Sequence, residues 1–179
     1  MIGVLFLAAT MSIARSLQEL ASVDIDSKCY FDLTGRVLAV DGSSFVLEDG
    51  ENRLSFACSS DVSFESGDLL HLQGYSWMSK LRYRYNAPTN VVRIGKTKAT
   101  NPEKASVSDI ARGACDLKLV TVEGLVTDVH LDELSENGYF LTISDGEESG
   151  FVYLCGKRKL SNLLGARVSV TGICMSKSN

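Results

Sequence analysis

The sequence has few of the residues that build metal and redox sites. Its 179 residues include only two histidines, and none of its five cysteines forms a C-x-x-C pair. Structural zinc sites and thioredoxin-like sites both need such closely spaced ligands. The chain also lacks a nucleophile-base arrangement, paired catalytic carboxylates and a glycine-rich phosphate loop. We therefore expect a protein that is not an enzyme and that holds neither a metal nor a cofactor.

Long hydrophobic runs are also missing. The amino-terminal run MIGVLFLAA contains nine residues, whereas a membrane-spanning helix needs roughly 20. The run resembles the apolar part of a secretory signal, although no lysine or arginine precedes it. We interpret residues 1–15 as a signal-like or apolar amino-terminal segment. The alternative is a strand or helix that packs on the fold.

The charge is unevenly distributed along the chain. The formal net charge of −4 argues against a general polyanion binder, because lysine and arginine supply most non-specific affinity for nucleic acids. Residues 1–75 hold four basic and eleven acidic side chains, but residues 76–102 hold six basic and no acidic ones. This basic segment keeps nucleic-acid binding open as a function.

An internal repeat with a period of about 95 residues organises the chain. Each copy contains short runs rich in Val, Leu, Phe, Tyr and Thr, which is typical of antiparallel strands joined by hairpins. A short helical segment is expected before the fourth strand of each copy, in SSDVSFESG and in GKRKLSNLLG. The glycines that match between the copies are Gly35 with Gly124, Gly50 with Gly146, Gly67 with Gly165, and Gly74 with Gly172.

This pattern resembles the five-stranded OB barrel. The resemblance rests on a glycine within each long first strand, where a small barrel must bend, on the Asp-Gly hairpins, and on the glycine-bounded fourth strands. The predicted fold is all-β, with two consecutive OB-like five-stranded barrels and short linking helices. The predicted boundaries are 16–98 for the first barrel, 99–116 for a linker with a short helix, and 117–179 for the second barrel.

The second predicted barrel lacks its last strand. The first copy has a candidate fifth strand in NVVRIG, but the second copy ends five residues after Cys174. Open strand edges attract further pairing. We expect that the chain is a fragment, or that the amino-terminal apolar segment or another chain fills the gap.

The tandem arrangement is similar to the extracytoplasmic region of certain bacterial membrane-bound sensor histidine kinases. The similarity is carried by SIARSLQEL before the first barrel, by the joining segment VVRIGKTKATNPEKASVSDI, and by the repeated hairpins. It implies a non-enzymatic ligand- or partner-binding module that serves as an extracytoplasmic sensor or input domain of a larger signalling protein. The implied location is periplasmic or secreted, with any membrane tether outside this chain. A cytoplasmic location is the alternative.

The stretch YSWMSKLRYRYNAPTNVVRIGKTK interleaves aromatic and basic side chains. It would lie between the fourth and fifth strands, where OB barrels often bind ligands. Such a surface suits single-stranded nucleic acid, and it suits carbohydrates or anionic polymers nearly as well. Alternative interpretations are a single-strand nucleic-acid-binding protein, a structural spacer, or a hairpin whose tyrosines pack on the barrel. The predicted ligand-binding residues are Tyr75, Trp77, Lys80, Arg82, Tyr83, Arg84 and Tyr85.

Overall fold

The computed structural model describes residues 12–24, 26–41, 44–57, 63–78, 83–133, 138–155 and 163–175. The chain forms two compact units, Met1–Lys98 and Ala99–Asn179. Within the described ranges no helix has the length and apolar character needed to cross a bilayer. The amino-terminal run 1–11 lies outside the described residues.

Unit 1 is built around one long, bent strand. Its elements are β1 (Ser12–Ala14), α1 (Leu17–Ser22), β2 (Cys29–Asp41), β3 (Ser44–Asp49), β4 (Asn52–Ala57), β5 (Asp68–Met78) and β6 (Arg84–Lys96). The first half of β2 pairs with β5 and its second half pairs with β3, with a bulge after Val37. The strand order is β4-β3-β2-β5-β6, and β1 lies parallel to β2.

The sheet of unit 1 closes into a barrel between β4 and β6. The side-chain amide of Asn86 on β6 donates a hydrogen bond of 2.9 Å to the Ser55 carbonyl on β4. Asn86 is buried, so this contact gives its amide nitrogen the partner that a buried donor needs. Strands β2, β3 and β4 form a meander, and β5 and β6 close it, which is the strand order of an OB barrel. The predicted fold class is confirmed.

Alternation along the strands places the core of unit 1. On β2, Phe31 and Leu33 face the interior, while their neighbours face outward. Helix α1 closes one end of the barrel with Leu17 and Leu20, three residues apart and fully buried. Its first turn is capped by the Ser16 hydroxyl, which accepts the Glu19 N–H at 3.1 Å. Burying one such leucine contributes about 1.5–3 kcal/mol.

Unit 2 repeats this order with one strand fewer in its described part. Its elements are β7 (Glu103–Ala105), α2 (Val107–Ala111), β8 (Leu119–Leu131), β9 (Gly138–Ser144), β10 (Ser149–Cys155) and β11 (Arg167–Ile173). The strand order is β10-β9-β8-β11, and β7 lies parallel to β8. The first strand bulges after Val126, as β2 does after Val37. Among the described residues nothing takes the position that β6 has in unit 1, as the sequence predicts.

The repeat includes a short strand and a helix before each long first strand. Both units begin with a three-residue parallel strand and a serine-capped helix before a long first strand. Segment 99–116, predicted as a linker with a short helix, contains β7 and α2, and both belong to unit 2. Val107 of α2 is fully buried in the core of that unit. A strand of three residues is too short for its alternation to be read from sequence.

The two Asp-Gly hairpins have the predicted backbone. Gly50 has a φ of 60° and Gly146 a φ of 104°, angles at which a side chain would be strained. In the second hairpin the Asp145 carboxylate accepts the backbone N–H groups of Glu147 and Glu148 at 3.1 and 3.0 Å. Of the helical segments expected before the fourth strands, residues 59–62 and 156–162 lie outside the described residues, and the described remainders 63–67 and 163–165 contain no helix.

Candidate ligand-binding site

Four aromatic rings gather on the outer surface of unit 1, across β2, β5 and β6. Tyr75 and Trp77 are two residues apart on β5 and share its outward side, since Ser76 between them is fully buried. Tyr30 on β2 lies opposite Tyr75, with ring centroids 5.3 Å apart. Tyr85 on β6 lies opposite Trp77, with centroids 5.0 Å apart. We call Tyr30, Tyr75, Trp77 and Tyr85 the aromatic face.

A lysine lies over the aromatic face. The Lys28 ammonium is 5.1 Å from the centroid of the Tyr75 ring, within range of a cation–π interaction. Lys28 is exposed, and Tyr85 keeps 38% of its surface exposed. The surface therefore offers ring area to a planar ligand and a positive charge beside it.

A row of hydrogen-bonding side chains continues the same outer surface. Asp32 on β2 lies between two residues of β5, with its Oδ1 2.7 Å from His71 Nε2 and its Oδ2 2.8 Å from Gln73 Nε2. On β6 the Asn90 amide donates to Gln73 Oε1 at 3.2 Å. We call Asp32, His71, Gln73 and Asn90 the polar row. It adds donors and acceptors beside the edge-to-face and tilted ring pairs of the aromatic face.

The polar row predicts an acid-sensitive contribution to stability. The hydrogen bonds from Gln73 and then His71 hold the pKa of Asp32 below its ordinary value of 3.8. A carboxyl whose pKa is lowered on folding stabilises the protein fully above the unfolded pKa, and that contribution is lost as the pH falls through the lowered pKa. We expect the difference in unfolding free energy between wild type and Asp32→Asn to shrink as the pH falls below about 4.

Denaturant unfolding followed through the single tryptophan measures this difference at each pH. Asp41→Asn, at the exposed end of the same strand, is the matched control. A difference for Asp32→Asn that persists unchanged to the most acidic point would contradict the assignment.

The structure brings together only part of the predicted site. Tyr75, Trp77 and Tyr85 meet on the aromatic face. Tyr83 is half-exposed just before β6. Arg84 is placed differently, because its guanidinium donates to the carbonyls of Val23 and Asp24, each at 2.7 Å. It anchors the chain after α1 and is not presented to a ligand. Lys80 and Arg82 lie outside the described residues.

The predicted loop between the fourth and fifth strands is shorter than the sequence suggested. Tyr75 and Trp77 belong to β5 and Tyr85 belongs to β6, so the connection spans residues 79–83. Alternating aromatic side chains favour extended strands. Pro88 fits within β6 because it lies opposite Gly74, where the strand register shifts, and proline is tolerated at such bulges.

Much of the basic charge in this segment serves the fold. Arg93 pairs at 2.8 Å with Asp68, which is fully buried. Lys96 pairs at 2.5 Å with Glu65, and the pKa of that carboxyl is lowered mainly by the lysine. Together with Arg84, three of the four basic residues that the structure describes between 76 and 102 are engaged within unit 1.

The described residues hold no group of three or more histidine, cysteine or acidic side chains arranged to bind a metal ion. Three cysteines in the described part of the chain are free and buried: Cys29, Cys115 and Cys174. Burial raises the pKa of the Cys174 thiol, which keeps that sulfur protonated and unreactive at neutral pH.

No family model and no curated protein matches this chain. Comparison with solved structures finds the telomere capping protein Ten1 of Saccharomyces pombe, at 16% identity and a TM-score of 0.34, over 47% of this chain and 81% of that one. It also finds the S. pombe Stn1–Ten1 complex, at 15% identity and a TM-score of 0.35, over 49% and 79%. Similarity this low adds nothing to the strand order and surface chemistry described above.

Proposed function

We propose that unit 1 binds single-stranded nucleic acid by stacking bases on the aromatic face. The observation that carries this proposal is the arrangement of Tyr30, Tyr75, Trp77 and Tyr85 as two contacting ring pairs across three strands, with Lys28 over one of them. Stacking on an aromatic side chain contributes about 1–3 kcal/mol per base and tolerates any sequence. The rings sit on rigid strands, so little ordering is needed when a base arrives.

The charges around the aromatic face favour a binder that depends on stacking more than on phosphate contacts. Arg84, Arg93 and Lys96 are held by partners within the unit. Lys28 lies at the rings, and Lys80 and Arg82 fall between Trp77 and Tyr85 in the sequence. If these three cations contact phosphates, the logarithm of affinity should fall with the logarithm of salt with a slope of about −2.

The single tryptophan makes this testable, because Trp77 belongs to the aromatic face. Titration with a single-stranded oligothymidylate should quench Trp77 fluorescence, and raising the salt from 50 to 200 mM should weaken binding about 20-fold. A duplex of the same length should quench far less, since its bases are already stacked. Absence of quenching by any single strand at low salt would overturn the proposal.

A carbohydrate is the second candidate, and the polar row favours it. Asp32, Gln73 and Asn90 present hydrogen-bonding groups beside the Tyr30–Tyr75 pair, and OB barrels bind oligosaccharides as well as oligonucleotides. A neutral oligosaccharide should then quench Trp77 with an affinity that salt does not change. The two titrations separate the candidates because only the polyanion releases counterions.

The role as an extracytoplasmic input domain, the periplasmic or secreted location and the lack of enzymatic activity stay predictions from the sequence. A membrane helix and a kinase encoded downstream in the same reading frame would support the signalling role. The spacer interpretation gains if neither class of ligand quenches Trp77.

A further inference from the structure

Strand β11 of unit 2 has an open edge where its counterpart in unit 1 is covered. In unit 1, β5 is paired on both sides, with β2 and with β6. In the described part of unit 2, β11 pairs with β8 alone and β10 pairs with β9 alone. The two end strands of this sheet, β10 and β11, each have one edge that no described strand pairs.

The burial of matched residues shows what the open edge exposes. Leu70 and Leu72 point into unit 1 and are fully buried. The residues of unit 2 that match them in the repeat are Val168 and Val170. These valines point into unit 2 but are only partly buried. The orientation is the same in both units, so the difference reflects the cover that β6 provides in unit 1.

A matched pair of glycines marks the path of the covering strand. A Cβ atom on Gly74 would lie 2.3 Å from the Ala87 carbonyl oxygen and 2.7 Å from the Pro88 Cα, both on β6. Gly74 thus leaves the space that the backbone of β6 occupies beside β5. A Cβ atom on Gly172 would meet nothing within 4 Å. Unit 2 keeps the glycine that such a crossing requires, and the space beside it is open.

The interior next to this edge is apolar. The buried core of unit 2 there consists of Val107, Val122, Val126 and Ile143. The partly buried apolar side chains that pack against this core are Ile110, Val129, Val152, Leu163, Val168 and Val170. In unit 1 the covering strand adds Val91 to the core and bridges to β4 through Asn86. An occupant of unit 2 would bury these valines in the same way.

We propose that unit 2 binds an extended strand of a partner polypeptide between β11 and β10. The strand runs antiparallel to β11, passes its backbone over Gly172, and turns alternate aliphatic side chains towards Val168 and Val170. Its chemistry follows β6 of unit 1: a small residue where it crosses the glycine, a branched aliphatic residue a few positions later, and an outward side that mixes polar with exposed aliphatic residues. Main-chain hydrogen bonds to an open sheet edge supply affinity in this mode, and side-chain pockets supply specificity.

The probe is a fluorescein-labelled synthetic peptide with the sequence RYNAPTNVVRIGK, which is β6 itself, added to the full chain. Anisotropy should rise on binding, and a scrambled peptide should give at least a tenfold weaker response. Hydrogen exchange should show new protection in β10 and β11 and no change in β5. Protection of β5 instead would mean that the peptide replaces β6 in unit 1, and would overturn the proposal.

Gly172→Val is the decisive variant. Nothing lies within 4 Å of the new Cβ, so unit 2 should fold normally, but the side chain would block a strand that crosses there. We expect at least a tenfold loss of peptide affinity, which corresponds to about 1.4 kcal/mol. Ser169→Val, on the exposed outer side of the same strand, is the matched control and should bind as wild type does.

Three results would contradict the proposal. The first is no peptide binding by the wild-type chain. The second is binding by Gly172→Val that equals the wild type. The third is binding that appears only after deletion of residues 1–11, which would assign the edge to this chain's own amino-terminal segment and not to a partner. If Gly172→Val fails to fold, hydrogen exchange of the wild-type complex tests the proposal instead, through the protection of β10 and β11.

Discussion

Alanine at Gly74 is expected to destabilise unit 1 by about 3 kcal/mol or more, whereas alanine at Gly172 should change unit 2 by less than about 0.5 kcal/mol. The reason is the atom that each new Cβ meets. At Gly74 it meets the backbone of β6 at 2.3 Å, and at Gly172 it meets open space. Backbone cannot rotate away as a side-chain end can, so β6 must separate from β5. The matched position in the repeat provides the control for intrinsic strand propensity.

Urea unfolding followed through Trp77 measures the effect on unit 1, because the only tryptophan of the chain lies there. Hydrogen exchange of β8 and β11 measures the effect on unit 2. Equal losses at the two glycines would show that the crossing of β6 over Gly74 does not hold the barrel closed.

Removal of two rings from the aromatic face should abolish most nucleic-acid binding. Each ring lost forfeits about 1–3 kcal/mol of stacking, so the double variant Tyr75→Ala, Trp77→Ala should lose about 30-fold or more in affinity. Trp77→Phe should keep most of it, because a stacking surface remains. A labelled oligothymidylate followed by anisotropy is the readout, since the variant lacks tryptophan.

The control is Phe151→Ala, which removes the most exposed of the large apolar side chains described, at 79% exposure, from unit 2. Its affinity should match the wild type. Unit 1 must stay folded in the double variant, which the circular dichroism of the sheet reports. A double variant that is folded and binds within a fewfold of wild type would leave the aromatic face without the proposed role.

The features that could be predicted from the sequence are those encoded locally. The Asp-Gly turns at Gly50 and Gly146 and the alternation of β2 each need only a few adjacent residues. The site was only partly predictable, because Tyr30 joins Tyr75 through the register of two strands far apart in the chain. The contacts of Arg84 could not be predicted either, since its partners are backbone carbonyls 60 and 61 positions away. Every residue has a backbone carbonyl, so no residue type in the sequence indicates such a partner.

Residues just upstream of each long strand carry the helix that seals that barrel's base, through Leu17 and Leu20 in one unit and Val107 in the other. A gene segment that encodes one unit therefore also encodes the helix that covers one end of its interior. Duplication of such a segment yields a second interior that is already sealed at that end and needs no compensating change in its neighbour. Each unit therefore carries the helix that covers its own interior, and both units share the order strand, helix and four long strands.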